Sequence, residues 1–197
     1  MGSVFDSTAT SWTTTLFKQK STPPLYFGTW TRDYWLQFHA SGKAQKYRKT
    51  NGVVADTIFH QLLSGTGYFR TPRLVHHLIS IGSNWVASNT NTDTVTINGT
   101  YTWAGIDTIV AAARKGRDLT RTITLKFDNV KGPRGVRLAR SLKTSGTIEG
   151  TYTATVTLPG GATHTVTRTF TIVIGGGDAT FTLDGTQFVA DLDTGNH

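Results

Sequence analysis

The sequence predicts a mainly β protein, an antiparallel sandwich or barrel with two short helices and one long β-hairpin. Three observations lead there. Apolar residues alternate with threonine in several segments, and turn-forming Gly, Pro and Asp residues separate these segments. The chain of 197 residues holds 37 threonines and a single glutamate, Glu149. Because Thr is β-branched and favours strands, whereas Glu favours helices, both biases indicate strands.

The long hairpin is predicted between Thr147 and Ile174. Even-numbered positions on both sides of Pro159-Gly160-Gly161 are mostly apolar, and odd-numbered positions are mostly threonine. This pattern predicts two arms that share one buried face and one hydroxyl face, with the Pro-Gly-Gly segment as the turn. About a dozen residues per arm at ~3.4 Å per residue give ~40 Å.

Further strands are predicted at 73–81, 94–103, 122–127, 179–183 and 188–192, with a tight turn at Asp184-Gly185. Two short helices are predicted from apolar residues at helical spacing. The first stripe is Val54, Ile58, Phe59 and Leu62, ending at Gly65, and the second is Ile106, Ile109, Val110 and Ala113, ending at Gly116.

Length and composition predict a polar N-terminal arm over residues 1–20 and a single β-rich domain over 21–197. The absence of cysteine excludes disulfide frameworks and thiolate chemistry. No signal peptide, transmembrane segment or membrane partner is expected. The localisation stays open, with a virus or phage particle as one candidate.

Positive charge is concentrated in one segment. Residues 114–143 hold ten Lys and Arg against two Asp, which equals the net charge of +8 of the whole chain. Such a segment can attract phosphate backbones, or it can pair with the acidic C-terminal third of another copy. A solvated basic loop is the remaining interpretation. The candidate nucleic-acid contacts are Lys115, Arg117, Lys131, Arg134 and Arg137.

Aromatic residues are densest between Tyr26 and Phe38. Trp30, Tyr34, Trp35 and Phe38 are candidate ligand-binding or interface residues, since rings can stack on sugars, line an apolar cavity or fill a subunit contact. Filling the core is the alternative role.

Catalytic and metal motifs are missing from the sequence. There is no P-loop, nucleophile elbow or complete dinucleotide fingerprint. His76 and His77 are adjacent, so on a strand they point to opposite faces and do not readily bind one metal. The prediction is no catalytic residue, no metal site and no cofactor, and a non-enzymatic role is favoured.

The leading hypothesis is a self-assembling structural protein of the virus or phage-particle type. Its partners are other copies of itself, with nucleic acid as a further candidate. The alternative is a monomeric β-barrel that binds or cyclises a small ligand, and a second alternative is a carbohydrate-binding module.

Overall fold

A computed structural model describes residues 2–22, 26–110, 116–134 and 144–192 of the chain. Fourteen strands lie in these ranges: β1 Gly2–Asp6, β2 Ser11–Thr22, β3 Tyr26–Ala40, β4 Lys43–Gln45, β5 Lys49–Thr50, β6 Val53–Val54, β7 Thr57–Arg70, β8 Leu74–Ser88, β9 Thr94–Ile109, β10 Arg117–Pro133, β11 Ser145–Thr157, β12 Thr163–Gly175, β13 Asp178–Leu183 and β14 Thr186–Asp191. The protein is therefore mainly β, as the alternation of apolar residues and threonine predicts.

One antiparallel sheet of twelve strands contains most of the chain. Its order is β1-β2-β3-β7-β8-β9-β10-β11-β12-β13-β14, and β4 pairs with β3, while β5 and β6 form a separate pair. Neighbouring strands of this series are consecutive in the sequence, except for β3 and β7, which are separated by the short strands β4, β5 and β6. The two outer strands, β1 and β14, each pair on one side within the described part of the chain.

The long hairpin is confirmed. Strands β11 and β12 pair with Ile148 opposite Ile172, Gly150 opposite Phe170 and Ala154 opposite Val166. The peptide NH of Gly161 donates to the carbonyl of Leu158 at 2.9 Å and closes the turn. Even-numbered side chains of both arms therefore share one face of the sheet.

The two predicted helices are wrong, because the described residues contain strands and no helix. Ile58, Phe59 and Leu62 lie in β7, and Ile106 and Ile109 lie in β9. Each of these residues has a cross-strand partner, such as Ala87 for Ile58 and Leu74 for Ile109. Isoleucine favours strands, and pairing on both sides outweighs the helical spacing of a short apolar stripe.

The segment expected to form a polar arm lies at one edge of the sheet. Strand β1 pairs with β2, and β2 pairs with β3 along its whole length, from Ser11 opposite Gln37 to Thr22 opposite Tyr26. The indole NH of Trp12 donates to the carbonyl of Lys46 at 2.6 Å. Strand pairing thus provides the backbone partners of this threonine-rich sequence.

The register separates the side chains into two faces. The apolar face is the one that carries the buried residues Leu62, Leu78 and Ile81. The opposite side is the hydroxyl face, where the odd-numbered threonines of β11 and β12 lie. Across these two strands Thr153 contacts Thr167 at 3.1 Å and Thr155 contacts Thr165 at 2.9 Å, oxygen to oxygen. Hydroxyl pairs of this kind stabilise a strand surface that faces water.

Two bulges place the core at the centre of the apolar face. The β3–β7 register shifts at Leu63, and the β8–β9 register shifts at Ile79. Both extra residues are exposed, while Leu62, Leu78 and Ile81 beside them are buried. Because a bulge bends its strand and increases the local twist, β7 and β8 bend beside these buried residues. Ala55 is the other buried apolar residue of the described ranges, so the core is small.

Aromatic rings cover glycines on the apolar face. A Cβ added to Gly105 would lie 2.8 Å from the ring of Trp103, and one added to Gly28 would lie 2.6 Å from the ring of Trp30. Phe170 covers Gly150 in the same manner. The missing side chain lets each ring lie over the neighbouring backbone, an arrangement that protects strand glycines. All three aromatic residues are partly exposed.

Candidate nucleic-acid interface

Charged side chains are distributed unequally between the two faces of the large sheet. Among its described strand side chains, the apolar face carries six cations and one carboxylate: Lys18, Arg32, Lys43, Arg117, Arg121 and Arg168, with Asp107. The hydroxyl face carries three cations and seven carboxylates: Arg70, Lys126 and Lys131, with Asp6, Asp33, Asp118, Asp128, Glu149, Asp178 and Asp191. The apolar face is therefore also the positive face.

One row of paired residues crosses the centre of this face. It runs through Lys18, Trp30, Gly67, Leu78, Gly105 and Arg121 on β2, β3, β7, β8, β9 and β10. Five strand spacings of about 4.8 Å make the row roughly 24 Å long. A cation thus lies at each end, and apolar and aromatic groups lie between them.

Strand β3 presents an aromatic–cation–aromatic triplet. Trp30, Arg32 and Tyr34 follow each other at every second position, so all three lie on the apolar face. Together with Leu16 and Lys18 they line an open hollow of about 310 Å³. Within the described residues neither Lys18 nor Arg32 forms an ion pair. Their charges are accordingly available to a bound anion.

A second group lies on β8, β9 and β10. Asp107, only 6% exposed, accepts a hydrogen bond from His76 Nδ1 at 2.6 Å and pairs with the guanidinium of Arg121. The His76 ring is parallel to that of Trp103, at 5.8 Å between centroids, and Arg121 lies 5.3 Å from the centroid of Trp103. Bonds to both neighbours satisfy the buried carboxylate, and they fix the orientation of the imidazole and the guanidinium.

This group resembles part of a nucleophilic triad in one respect only. The carboxylate orients His76 so that Nδ1 donates and Nε2 faces away from Asp107. However, no hydroxyl of the described residues hydrogen bonds to His76. The group lacks the nucleophile that such chemistry requires.

Four buried side-chain nitrogens of the described residues lack a hydrogen-bond partner, and all four belong to apolar-face residues: Arg32 Nε, His60 Nδ1, Trp85 Nε1 and Arg121 Nε. Guanidinium and indole NH groups are donors only. Burial also lowers the pKa of His60 and raises the pKa of Tyr101, the latter against the opposing charge of Arg32. Protein atoms enclose these four nitrogens, so their missing partners are a cost of burial on the apolar face.

The basic residues that the sequence suggested as nucleic-acid contacts do not lie together in the structure. Arg117 begins β10 on the apolar face, whereas Lys131 and Arg134 lie at the far end of that strand. Fourteen residues at about 3.3 Å place Arg117 and Lys131 roughly 45 Å apart. Lys131 is on the hydroxyl face, and the peptide NH of Arg134 donates to the carbonyl of Asp93 at 2.8 Å. Lys115 and Arg137 lie outside the described residues.

The four candidate aromatic residues lie on different faces of the sheet, according to whether their positions are even or odd. Trp30, Tyr34 and Phe38 lie on the apolar face, and Trp35 lies on the hydroxyl face opposite Thr13 and Gln61. Tyr34 packs against the core, which is one of the roles considered for these rings. Sequence reasoning missed Arg32, although it stands between two of the candidate aromatic residues, because a single cation does not raise the charge density of its segment.

A wide trough of about 670 Å³ lies on the hydroxyl face. Threonine hydroxyls line it, and the Lys126–Glu149 ion pair, 3.1 Å long, crosses it. Tyr101 and Phe170 also border the trough, but their side chains belong to the apolar face. The strand positions that face the trough therefore provide hydroxyl and charged groups without an aromatic ring for sugar stacking.

Clusters of metal-ligating side chains and long apolar helices are both absent from the described ranges. No group of three or more His, Cys, Asp or Glu side chains close enough for a metal ion occurs there. Those residues also contain no helix of sufficient length and hydropathy to cross a membrane. Comparison of the chain with protein-family models, with curated proteins and with solved structures gives no match.

Proposed function

We propose that this chain is a non-enzymatic structural protein that assembles with copies of itself, of the type that builds virus or phage particles. The observation that supports the proposal is that β1 and β14, within the described residues, each pair on one side only. Edge strands are often protected from pairing with other chains by lysine, proline, a bulge or short length. Strands β1 (GSVFD) and β14 (TQFVAD) are short and carry one aspartate each, but they contain neither lysine nor proline.

Both edges also expose apolar side chains. Val4 on β1 is 70% exposed, and Phe188 and Val189 on β14 are each 54% exposed. Together with the small core, these exposures favour a chain that completes its burial in an assembly. A composition rich in threonine on the water-facing side suits proteins of particle surfaces.

The strand directions restrict how copies can pair. The continuous series has eleven strands that alternate in direction, so β1 and β14 run the same way. Head-to-tail pairing of β14 with β1 of the next copy would be parallel. Pairing of β14 with β14, or of β1 with β1, around a two-fold axis keeps the antiparallel pattern of the whole sheet. We therefore propose two isologous contacts, one at each edge.

Light scattering coupled to size-exclusion chromatography tests the assembly. The wild-type chain is expected to form defined oligomers larger than a dimer. Val189→Lys should leave dimers that pair through β1, Val4→Lys should leave dimers that pair through β14, and the double variant should be a monomer. Val173→Lys is the matched control, because Val173 is 51% exposed on the interior strand β12. A wild-type monomer at high concentration and low salt would refute the proposal, as would dissociation by Val173→Lys.

A small-ligand protein is the second candidate, and the hollow beside Trp30, Arg32 and Tyr34 supports it. Its volume of about 310 Å³ lies at the lower end of ligand pockets. The guanidinium and the rings would suit an aromatic carboxylate. Saturable one-to-one binding of such a compound to the double edge variant, measured by calorimetry, would support this function, and its absence would exclude it.

A further inference from the structure

We propose that the apolar face binds single-stranded nucleic acid, with the row from Lys18 to Arg121 as the centre of the site. The proposal concerns the face of the sheet, whereas the assembly concerns its edges, and neither requires the other. It assigns nucleic-acid contact to strand residues that lie together, in place of the loop residues that the charge density of the sequence suggested.

The charge of the face supports a polyanion as its occupant. Among the described strand side chains this face has six cations and one carboxylate, Asp107, which His76 and Arg121 engage. Arg168 pairs with Asp184, so four cations have no ion-pair partner among the described residues: Lys18, Arg32, Lys43 and Arg117. A nucleic acid binds such a surface because its phosphates then release counterions. The excess of carboxylates disfavours binding on the hydroxyl face.

The rings on the same face support unpaired bases. Trp30 lies over Gly28, so one side of its ring covers backbone. Trp103 is already in contact with Gly105, His76 and Arg121 and is therefore not a stacking platform. Trp30, Tyr34 and Tyr101 are partly exposed on this face. Bases stack on aromatic side chains when they are free of a duplex, which makes rings on a sheet useful for single strands and of little use for double helices.

Two guanidinium groups on the apolar face support the same occupant. Arg32 on β3 and Arg121 on β10 are four strand spacings apart, roughly 19 Å between their strands. Guanidinium groups bind phosphate oxygens through several NH donors at once. A single strand that crosses the sheet between these two groups would provide phosphate acceptors at both ends and bases over the apolar centre.

Fluorescence anisotropy of labelled oligonucleotides tests the proposal, with the double variant Val4→Lys/Val189→Lys added so that assembly does not contribute. We expect binding of single-stranded oligothymidylate and oligouridylate at low salt, and much weaker binding of a duplex of the same length. Arg32→Gln is the decisive variant. Because Arg32 has no ion-pair partner among the described residues, its removal leaves no carboxylate unpaired and should not unfold the chain. The log–log salt slope should fall by about 0.7 for this one contact.

The control is Lys131→Gln, which removes one charge from the hydroxyl face and should leave both affinity and slope unchanged. Trp30→Leu should weaken binding on the order of tenfold without changing the salt slope, since it removes a stacking partner and no charge. Circular dichroism and thermal unfolding establish that each variant folds, and Arg32→Lys, which keeps the charge, should restore the slope. Absence of binding at low salt, equal affinity for duplex, or a loss with Lys131→Gln but not with Arg32→Gln would overturn the proposal.

Discussion

The C-terminal strands β11–β14 and the central strands β7–β9 belong to the same sheet but differ in how regularly their side chains alternate between its two faces. In β11–β14 every residue keeps the parity of its strand, and threonine marks one face throughout the long hairpin. In β7 and β8 a bulge changes the parity halfway, so that Leu62 and Gly65, and likewise Leu78 and Ile81, share the apolar face. Regular alternation separates the two faces along the whole hairpin, whereas the interrupted alternation of β7 and β8 occurs beside the buried core residues.

The difference in burial should appear as a difference in stability. Ile81 is buried beside Gly65, while Ile172 of β12 is half-buried on the same face. We expect Ile81→Ala to lower the free energy of unfolding by about 3 kcal/mol, because the cavity next to the bulges has little room to collapse. Ile172→Ala, the same chemical change, should cost about 1 kcal/mol. Urea unfolding of both variants measures this, and equal losses would mean that the apolar face is covered uniformly.

The same difference explains how much of the molecule was predictable. The hairpin, its turn and its faces follow from alternation, which local sequence displays completely. The turn at Asp184-Gly185 also follows, with φ of 48° and 85° at its two residues. In the centre, apolar residues lie on both faces of β7, with Ile58 and Leu62 on the apolar face and Phe59 on the other, and this spacing imitates a helix.

The candidate site was less accessible to sequence reasoning than the fold. His76, Asp107 and Arg121 are far apart in the chain and meet because β8, β9 and β10 are neighbours. The separation of charge between the two faces likewise requires the register of every strand. Charge density along the sequence identified residues 114–143, but a strand distributes consecutive cations to opposite faces, as Arg121 and Lys126 show.

Two glycine substitutions test whether an aromatic ring covers the backbone of the central strands but not the end of β12. Gly105→Ala places a Cβ 2.8 Å from the ring of Trp103 and 3.0 Å from His76, so the ring must move away from the backbone. Overpacking of this kind should cost about 1–3 kcal/mol and alter the near-ultraviolet circular dichroism of tryptophan. Gly175→Ala is the control at the C-terminal end of β12, where an added Cβ meets no atom within 4 Å. It should be neutral or stabilise by about 0.5 kcal/mol, and a similar cost at both glycines would contradict the ring cover.

The smallest expected effect is a pH dependence that arises in the centre and not in the hairpin. His60 lies between Tyr34 and Trp85 on the apolar face, and burial lowers its pKa below the ordinary value of 6.5. In the unfolded chain the same imidazole takes up its proton near pH 6.5, so between that pH and the lower folded pKa the unfolded state binds more protons. Stability from neutral His60 is therefore complete above pH 6.5 and declines as the pH falls toward the folded pKa.

His60→Gln should reduce the slope of unfolding free energy against pH in this interval. Urea titrations at several pH values between 5 and 7.5 measure the slopes of the wild-type chain and of the variant, and an unchanged slope in His60→Gln would show that this imidazole is as accessible to protons in the folded sheet as in the unfolded chain.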